Sequence, residues 1–586
     1  MKIHYSAEKN VQILIALLKA HNIFKVVASP GSTNICFVAS VQNDPDFEVY
    51  SCVDERSAAY LACGIAAECK EPVVISCTGA TASRNYIPGL TEAFYRKLPI
   101  VAVTSTRSIA EIGQNIPQVM DRTSPLNDIA KISVYLPDVI TEADEWECNL
   151  NVNRALLELR RHSGSPVHIN LMTQYTEDFS VKQLPQTRII KRVEYMQPLP
   201  NIPEGRIGIF AGSFREWSAE LTEAVDEFCE LHNAVVLYDP TSNYTGKYGI
   251  MGNMIFNQHA CNKTMRSFDL LIHIGDMSGA YMQILPHNVW RVHPDGEVRD
   301  TFKKLTYVFE MNELNFFKKY NKQASGNQKS TSLYAQLKEE YNTLAEKLCG
   351  SLNELPFSNP WIAASTAARL PERSVLHLAI LNSLRSWSFI DIPRSIRVYS
   401  NVGGFGIDGC VSSAIGASIV SPEKLFFCVV GDLAFFYDLN SIGNRHIKSN
   451  IRILLINNGI GTEFKLKQTL SIKAGIDDDT DDYIAAAGHF GNKSPELIKH
   501  FALDLGFEYL TASDKKTYLQ NLDYFVSSEV KDKPLLFEVF TDSDDEVNAL
   551  LKVKNQMTDK KNEFKQAVKD VIGEQQLKKI KKFLKK

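Results

Sequence analysis

Along this chain, short runs of β-branched and apolar residues alternate with longer stretches whose apolar positions recur every three or four residues. The runs that read as strands are 25–29, 73–77, 100–104 and 167–171 in the first third. In the middle third they are 207–211, 234–238 and 270–275, and in the last third 375–378, 425–430, 451–456 and 535–539. Most are followed by a glycine or a small polar turn and then by a helical stretch. That order predicts parallel strand–helix units and doubly wound sheets, an α/β fold. The opening segment MKIHYSAEKNVQILIALLKAHN spreads its apolar residues at helical spacing among charges. It reads as an amphipathic helix and not as a signal peptide.

A chain of 586 residues is too long for one core. The polar stretches 183–205 and 322–332 read as linkers, the second followed by a helix. They divide the chain into α/β domains at 1–182, 206–348 and 356–551, with a lysine-rich helical tail at 552–586. Composition then removes whole classes of function. A formal net charge of −4 gives no basic surface for nucleic acid. No apolar run reaches about 18 residues without charge or glycine, which argues against a membrane span. Eleven scattered cysteines, none in a CxxC pair, are expected to be reduced thiols of a cytoplasmic protein. The tail carries lysines at 578, 579, 581, 582, 585 and 586 beside Leu577, Ile580, Phe583 and Leu584. A solvated terminal helix is expected there ahead of contact with an anionic membrane.

The candidate chemistry centres on GDLAFFYDLNSIGN and the following INNG. Asp432 ends one predicted strand and Asn458 ends the next, at the edge where open α/β sheets bind ligands. An oxygen pair beside glycines suits a hard divalent cation and its phosphates. Three earlier segments share a strand, turn and helix order: SPGSTN at 29–34, CVDERSAAYLACGIA at 52–66 and CTGATASRNYIPGLTEAF at 77–94. Taken locally, Glu55 is an acid that complements a helix dipole.

In series, these segments resemble thiamine-diphosphate-dependent enzymes over nearly the whole chain, the lysine tail excepted. Within that superfamily the sequence looks closest to the menaquinone-pathway 2-succinyl-5-enolpyruvyl-6-hydroxy-3-cyclohexene-1-carboxylate synthases. The resemblance implies three doubly wound parallel-sheet domains: pyrimidine-binding, central and diphosphate-binding. It implies Mg²⁺ or Mn²⁺ on Asp432, Asn458 and the Ile460 carbonyl. Thiamine diphosphate would be held by Asn382, Ser383, Leu384, Gly406, Ile407, Gly431, Leu433 and Ala434, with Ile407 propping it in its bent form. Glu55 would reach the cofactor's aminopyrimidine ring across a subunit boundary and activate it. That arrangement requires a homodimer or homotetramer. Gln118 would lie near the reacting carbons. The implied reaction is decarboxylation of a 2-oxo acid donor and transfer of the acyl carbanion equivalent to an acceptor not identified by sequence.

The substrate positions implied are Ser32, Thr33, Arg107, Trp387, Val402, Glu463 and Phe464, and here the chain departs from the synthases. Thr33 stands where their SPGSRN motif has arginine, and Trp387 and Val402 stand where two more arginines are usual. Ala280 and Tyr281 replace a Lys-Arg pair. Of the recognisable anion-binding positions, Arg107 is retained. Glu463 replaces an apolar pocket residue, and is expected either to face the pocket or to meet solvent, Lys465 or Lys467. His446 and His168 are expected to be surface and structural residues. The reading is a decarboxylase and carboligase with an altered acceptor. The alternatives are an authentic synthase, a simple 2-oxo acid decarboxylase or acetolactate-synthase-like enzyme, and an inactive cofactor-binding scaffold.

Overall fold

The computed structural model describes residues 4–214, 216–324, 326, 329–466, 469–476, 481 and 483–557. They form two compact units, Met1–Pro198 with Gly296–Glu310, and Leu199–Asp295 with Met311–Lys586. The lysine tail expected at 552–586 lies outside the described residues from 558 onward.

The first unit is built on six parallel strands in the spatial order Glu48–Ser51, Lys25–Ala28, Val73–Cys77, Ile100–Thr106, Val167–Met172, Ser133–Leu136. Alternate side chains of each strand enter different cores, as the two-residue period requires. Val26, Val74, Val101 and Val103 pack with the helices Lys9–Ala20 and Glu142–Glu158. Val27, Ile75, Cys77 and Ala102 pack on the other face with Glu55–Cys69 and Ile87–Tyr95. The sheet is therefore covered on both faces, and its central strands are continuous apolar runs. The 183–205 stretch differs from its reading as a linker. It contains the strand Lys191–Glu194, paired in parallel with 307–310.

The second unit carries two parallel arrays. One runs Gly249–Met251, Ala234–Tyr238, Ile207–Ala211, Leu270–Ile274, Val289–Val292. The other runs Arg397–Tyr399, Val375–Leu378, Phe426–Gly431, Ile451–Asn457, Leu535–Phe540, Glu508–Ala512. In the latter Phe426, Cys428, Val430, Ile451, Ile453 and Leu455 share one core with the helix Cys410–Val420. The fold class is thus doubly wound α/β, as the pattern predicts. A helix, Ser332–Gly350, follows the second linker as expected. No helix among the described residues is long and apolar enough to cross a membrane. All eleven cysteines are unpaired thiols.

Candidate active site

Registration of Phe426–Gly431 against Ile451–Asn457 places the Gly431–Asp432 and Asn457–Asn458 steps side by side at one sheet edge. Asp432 is buried and opens the helix Asp432–Tyr437. Its Oδ1 accepts the Leu433 N–H (2.8 Å) and its Oδ2 the Gly459 N–H (2.6 Å). Asn458 Oδ1 accepts the Ile460 N–H at 3.3 Å. These bonds hold a carboxylate, an amide oxygen and the Ile460 backbone close together with oxygen lone pairs to spare. Such a donor set, all oxygen with a single carboxylate, fits a hard divalent cation that also binds phosphate. The pair of asparagines is fixed from behind. Asn457 donates to Glu538 (2.7 Å), which also accepts from Tyr509 (2.8 Å).

Asp432, Asn458 and Ile460 line a cavity of about 320 Å³. The same wall includes Asn382 and Ser383, Gly431, Leu433 and Ala434, Ile407 beside Gly406, and Glu463 and Phe464. Two short helices, Asn382–Trp387 and Asp432–Tyr437, begin at this wall, so the positive ends of their dipoles favour an anion there. Leu381, just before Asn382, has φ 66° and ψ −122°. A non-glycine residue in that region costs about 1–3 kcal/mol, a strain that concentrates at ligand sites. The aspartate of the DLN segment has a supporting part: Asp438 accepts from the Ser412 N–H (2.6 Å) and from its hydroxyl. It thereby anchors the helix that follows GIDG.

Six of the expected residues have surroundings that sequence does not reveal. Glu463 meets neither solvent alone nor Lys465, which pairs with Asp481 at 2.6 Å; Lys467 lies outside the described residues. It forms a two-point ion pair with Arg385, one contact at 3.0 Å, and Arg385 also donates to Asn382 (2.9 Å). Trp387 is fully buried, as is Leu384, and neither lines the cavity. Val402 packs on the 278–281 segment, where a Cβ on Gly279 would lie 2.6 Å from Val402 Cγ1. Ala280 is buried, whereas Tyr281 is exposed.

Two buried groups in this region were not legible. Glu546 lines the cavity and accepts the Asn359 N–H on both oxygens (3.0 Å each) and the Thr541 hydroxyl (2.8 Å). Burial raises its carboxyl to about 7, against the lowering effect of those donors. Its only sequence signal is a run of acids opening a helix. His489, packed edge-on against Phe436, lies 3.6 Å from Asp432 and has no hydrogen-bond partner on either ring nitrogen among the described residues. Nothing local in GHFGN announces it.

The first unit gathers its expected residues at the carboxyl edge of its own sheet. Asp54 caps the helix Glu55–Cys69 through the Ser57 N–H (2.8 Å), and among the described residues the Glu55 carboxylate accepts only a long bond from Asn85 (3.4 Å). Ser32 is exposed, but Thr33 is buried. Its hydroxyl bonds Thr78 Oγ1 (2.6 Å) and accepts the Gly79 N–H (3.3 Å). Arg107 lies over the Tyr175 ring, 5.3 Å from its centroid, and 3.7 Å from Glu111. Gln118 is exposed, with a positive φ of 68°. His168 is structural, bonded to Ser133 (2.8 Å) and Thr104 (2.7 Å), and His446 is exposed.

A parallel sheet whose strand ends assemble oxygen ligands and helix N-termini around one cavity has the form of a phosphate-cofactor enzyme. Residues 9–124 match the family model "Thiamine pyrophosphate enzyme, N-terminal TPP binding domain". The chain belongs to the thiamine-diphosphate-dependent enzyme family that includes the 2-succinyl-5-enolpyruvyl-6-hydroxy-3-cyclohexene-1-carboxylate synthases. Proteins of that name from Bacteroides fragilis are 32% identical over 578 residues, 93% of this chain and 98% of theirs. One from Bacteroides thetaiotaomicron is 30% identical over 587 residues, 95% and 100% of the two chains. Among solved structures, the thiamine diphosphate-dependent 4-hydroxybenzoylformate decarboxylase of Rhodococcus jostii RHA1 matches at 15% identity. Its TM-score is 0.38, over 91% of this chain and 99% of that one.

Proposed function

We propose that this enzyme uses thiamine diphosphate and Mg²⁺ or Mn²⁺ to decarboxylate a 2-oxo acid and couple the acyl unit to an acceptor. The observation that carries the reading is the joint presence of Asp432, Asn458 and Ile460 on one cavity with two helix N-termini. Bound there, the cofactor would supply the electron sink for the carbanion left when CO₂ departs. The chain's own residues would do the rest. Asp432, Asn458 and the Ile460 carbonyl would hold the metal. Asn382, Ser383 and the backbone at Leu433 and Ala434 would hold the diphosphate, and Ile407 would support the cofactor's bend. Glu55, with its carboxylate left open by the Asp54 cap, would hold and relay a proton at the pyrimidine ring in a homodimer or homotetramer. Gln118 would orient a carbonyl, since an amide positions well but donates protons poorly. The division into domains 1–182, 206–348 and 356–551 and a cytoplasmic location belong to the same proposal.

Calorimetric titration tests it. Thiamine diphosphate should bind only with a divalent cation, and Asp432→Ala should weaken binding at least tenfold. Binding indifferent to that substitution would sink the assignment. A second reading, the synthase reaction named for the relatives, is favoured by their full-length similarity. Against it stand the neutral Thr33, Trp387 and Val402, and an Arg385 already engaged by Glu463.

A further inference from the structure

Glu546 is a buried carboxyl on the wall of the cofactor cavity, and no cation among the described residues pairs with it. It lies in the first turn of the helix Ser543–Lys554 and is 5% exposed. The charged groups that act on it are Asp432 and Asp545, both acidic. Its oxygens accept the Asn359 N–H and the Thr541 hydroxyl. Asn359 Oδ1, on the same wall, is buried without a hydrogen-bond partner among the described residues. The remaining charges nearby are engaged elsewhere. Glu463 is held by Arg385, and Lys554, at the far end of the same helix, answers to that pair. His489 stands beside Asp432, and Glu538 is bonded to Asn457 and Tyr509.

A buried carboxylate without a counter-charge is costly in the empty protein, and costs more once a second anion enters the same cavity. A diphosphate and an ionised carboxylate both offer acceptor oxygens and no donor. Asp432 has to stay ionised to hold a cation. Glu546 is free of that duty, and a proton would turn it from an acceptor into a donor. Burial already holds its carboxyl near neutrality, at about 7. We propose that Glu546 is a cofactor-binding residue that works as a neutral acid: it takes one proton from solvent as the metal-bound diphosphate enters, and offers the resulting O–H to the phosphate oxygens. The inference rests on the cofactor reading given above.

Calorimetric titration of the full-length protein with thiamine diphosphate and saturating Mg²⁺ counts the protons, when run at one pH in two buffers of different ionisation enthalpy. The phosphate's own last proton leaves near pH 6, so uptake at about pH 8 reports on the protein. The unaltered protein should take up roughly half a proton or more per site, and Glu546→Gln close to none. Affinity should fall by up to about tenfold per pH unit above pH 7, whereas Glu546→Gln should stay within about twofold from pH 7 to 8.5. Thr541→Val removes a hydroxyl that favours the ionised form, so the midpoint of the pH dependence should move up by roughly one unit. A Glu546 that only anchors Asn359 does not produce that shift, and this variant keeps the carboxyl if Glu546→Gln fails to fold. No proton uptake by the unaltered protein overturns the inference. Uptake that persists in Glu546→Gln assigns the proton to His489 or Lys554 and overturns it too. Thiamine diphosphate failing to bind at every pH rejects the cofactor reading, and this inference with it; binding without a Glu546-dependent proton rejects this inference alone.

Discussion

The pairing of Arg385 with Glu463 makes the sharpest prediction about the cofactor cavity. Both side chains are about a quarter exposed, 22% and 24%, and they meet at two points. Two unit charges about 4 Å apart interact by ~4 kcal/mol at an effective dielectric near 20. Desolvation and side-chain ordering offset much of this, leaving a coupling of about 1–3 kcal/mol. A third charge reports on the pair. Burial first, and Arg385 second, push the Lys554 ammonium down to about 8, while Glu463 acts upward. Glu463→Gln removes the upward influence and should lower Lys554 further. Arg385→Gln removes a downward one and should raise it.

Reductive ¹³C-methylation with NMR titration follows Lys554, identified by its loss in Lys554→Arg. Equilibrium unfolding of the two single variants and the double variant gives the coupling energy. Shifts of Lys554 in the same direction for both variants, or a coupling within error of zero, would refute the pairing. The sign matters for function as well. A Glu463 held by Arg385 presents a compensated pair to the cavity and not a bare negative charge, so its effect on an acceptor is geometric more than repulsive.

Glu55→Gln should bind cofactor with nearly unchanged affinity while turnover falls by orders of magnitude; near-normal turnover rejects Glu55 as the activating acid. Burial, with Arg122 and Arg84 adding to it, lowers His168 to about 3, so the folded protein keeps it neutral while the unfolded chain takes up a proton near pH 6.5. Stability should therefore be lost as pH falls from about 6.5 towards 3, by up to ~1.4 kcal/mol per pH unit, and His168→Gln should flatten that slope in urea titrations. Purified enzyme given 2-oxoglutarate and isochorismate with both cofactors should make little coupled product; turnover comparable to an authentic synthase defeats the altered-acceptor reading.

Strands were legible where burial on both faces demanded uninterrupted β-branched runs. Val73–Cys77, Ile207–Ala211, Ala234–Tyr238 and Val375–Leu378 coincide with their apolar stretches. The strands that the pattern does not announce sit at sheet edges or carry charges. Arg397–Tyr399 and Glu508–Ala512 end one sheet, and Lys191–Glu194 hides as KRVE within an apparent linker. An edge strand needs little apolar surface, so it leaves little periodic signal. The site divides in the same way. Asp432 and Asn458 were legible because a strand end fixes where such residues point. The partner of Glu463 is 78 positions away, and the environment of Arg122 joins the strand Ile100–Thr106 to the turn at Gly79; no local pattern encodes either.

The departures from the synthase pattern become coherent when charges are followed in space. Position 33 lacks a cation, and its threonine is bonded into the Thr78–Gly79 turn. Across that turn stands Arg122, whose Nη2 donates to the Ser105 carbonyl and whose Nε and Nη1 are buried without a hydrogen-bond partner among the described residues. In the other unit, position 387 lacks a cation and its tryptophan has moved into the core, while Arg385 appears two residues earlier on the same short helix. That arginine is matched by a carboxylate at 463, so the pair adds hydrogen-bonding capacity without adding net charge. The second change exchanges positive charge for a neutral polar surface. An uncharged hydroxylated acceptor is compatible with that surface. A polyanionic acceptor, whose carboxylates would be desolvated beside Glu463 with no free guanidinium from Arg385, is not.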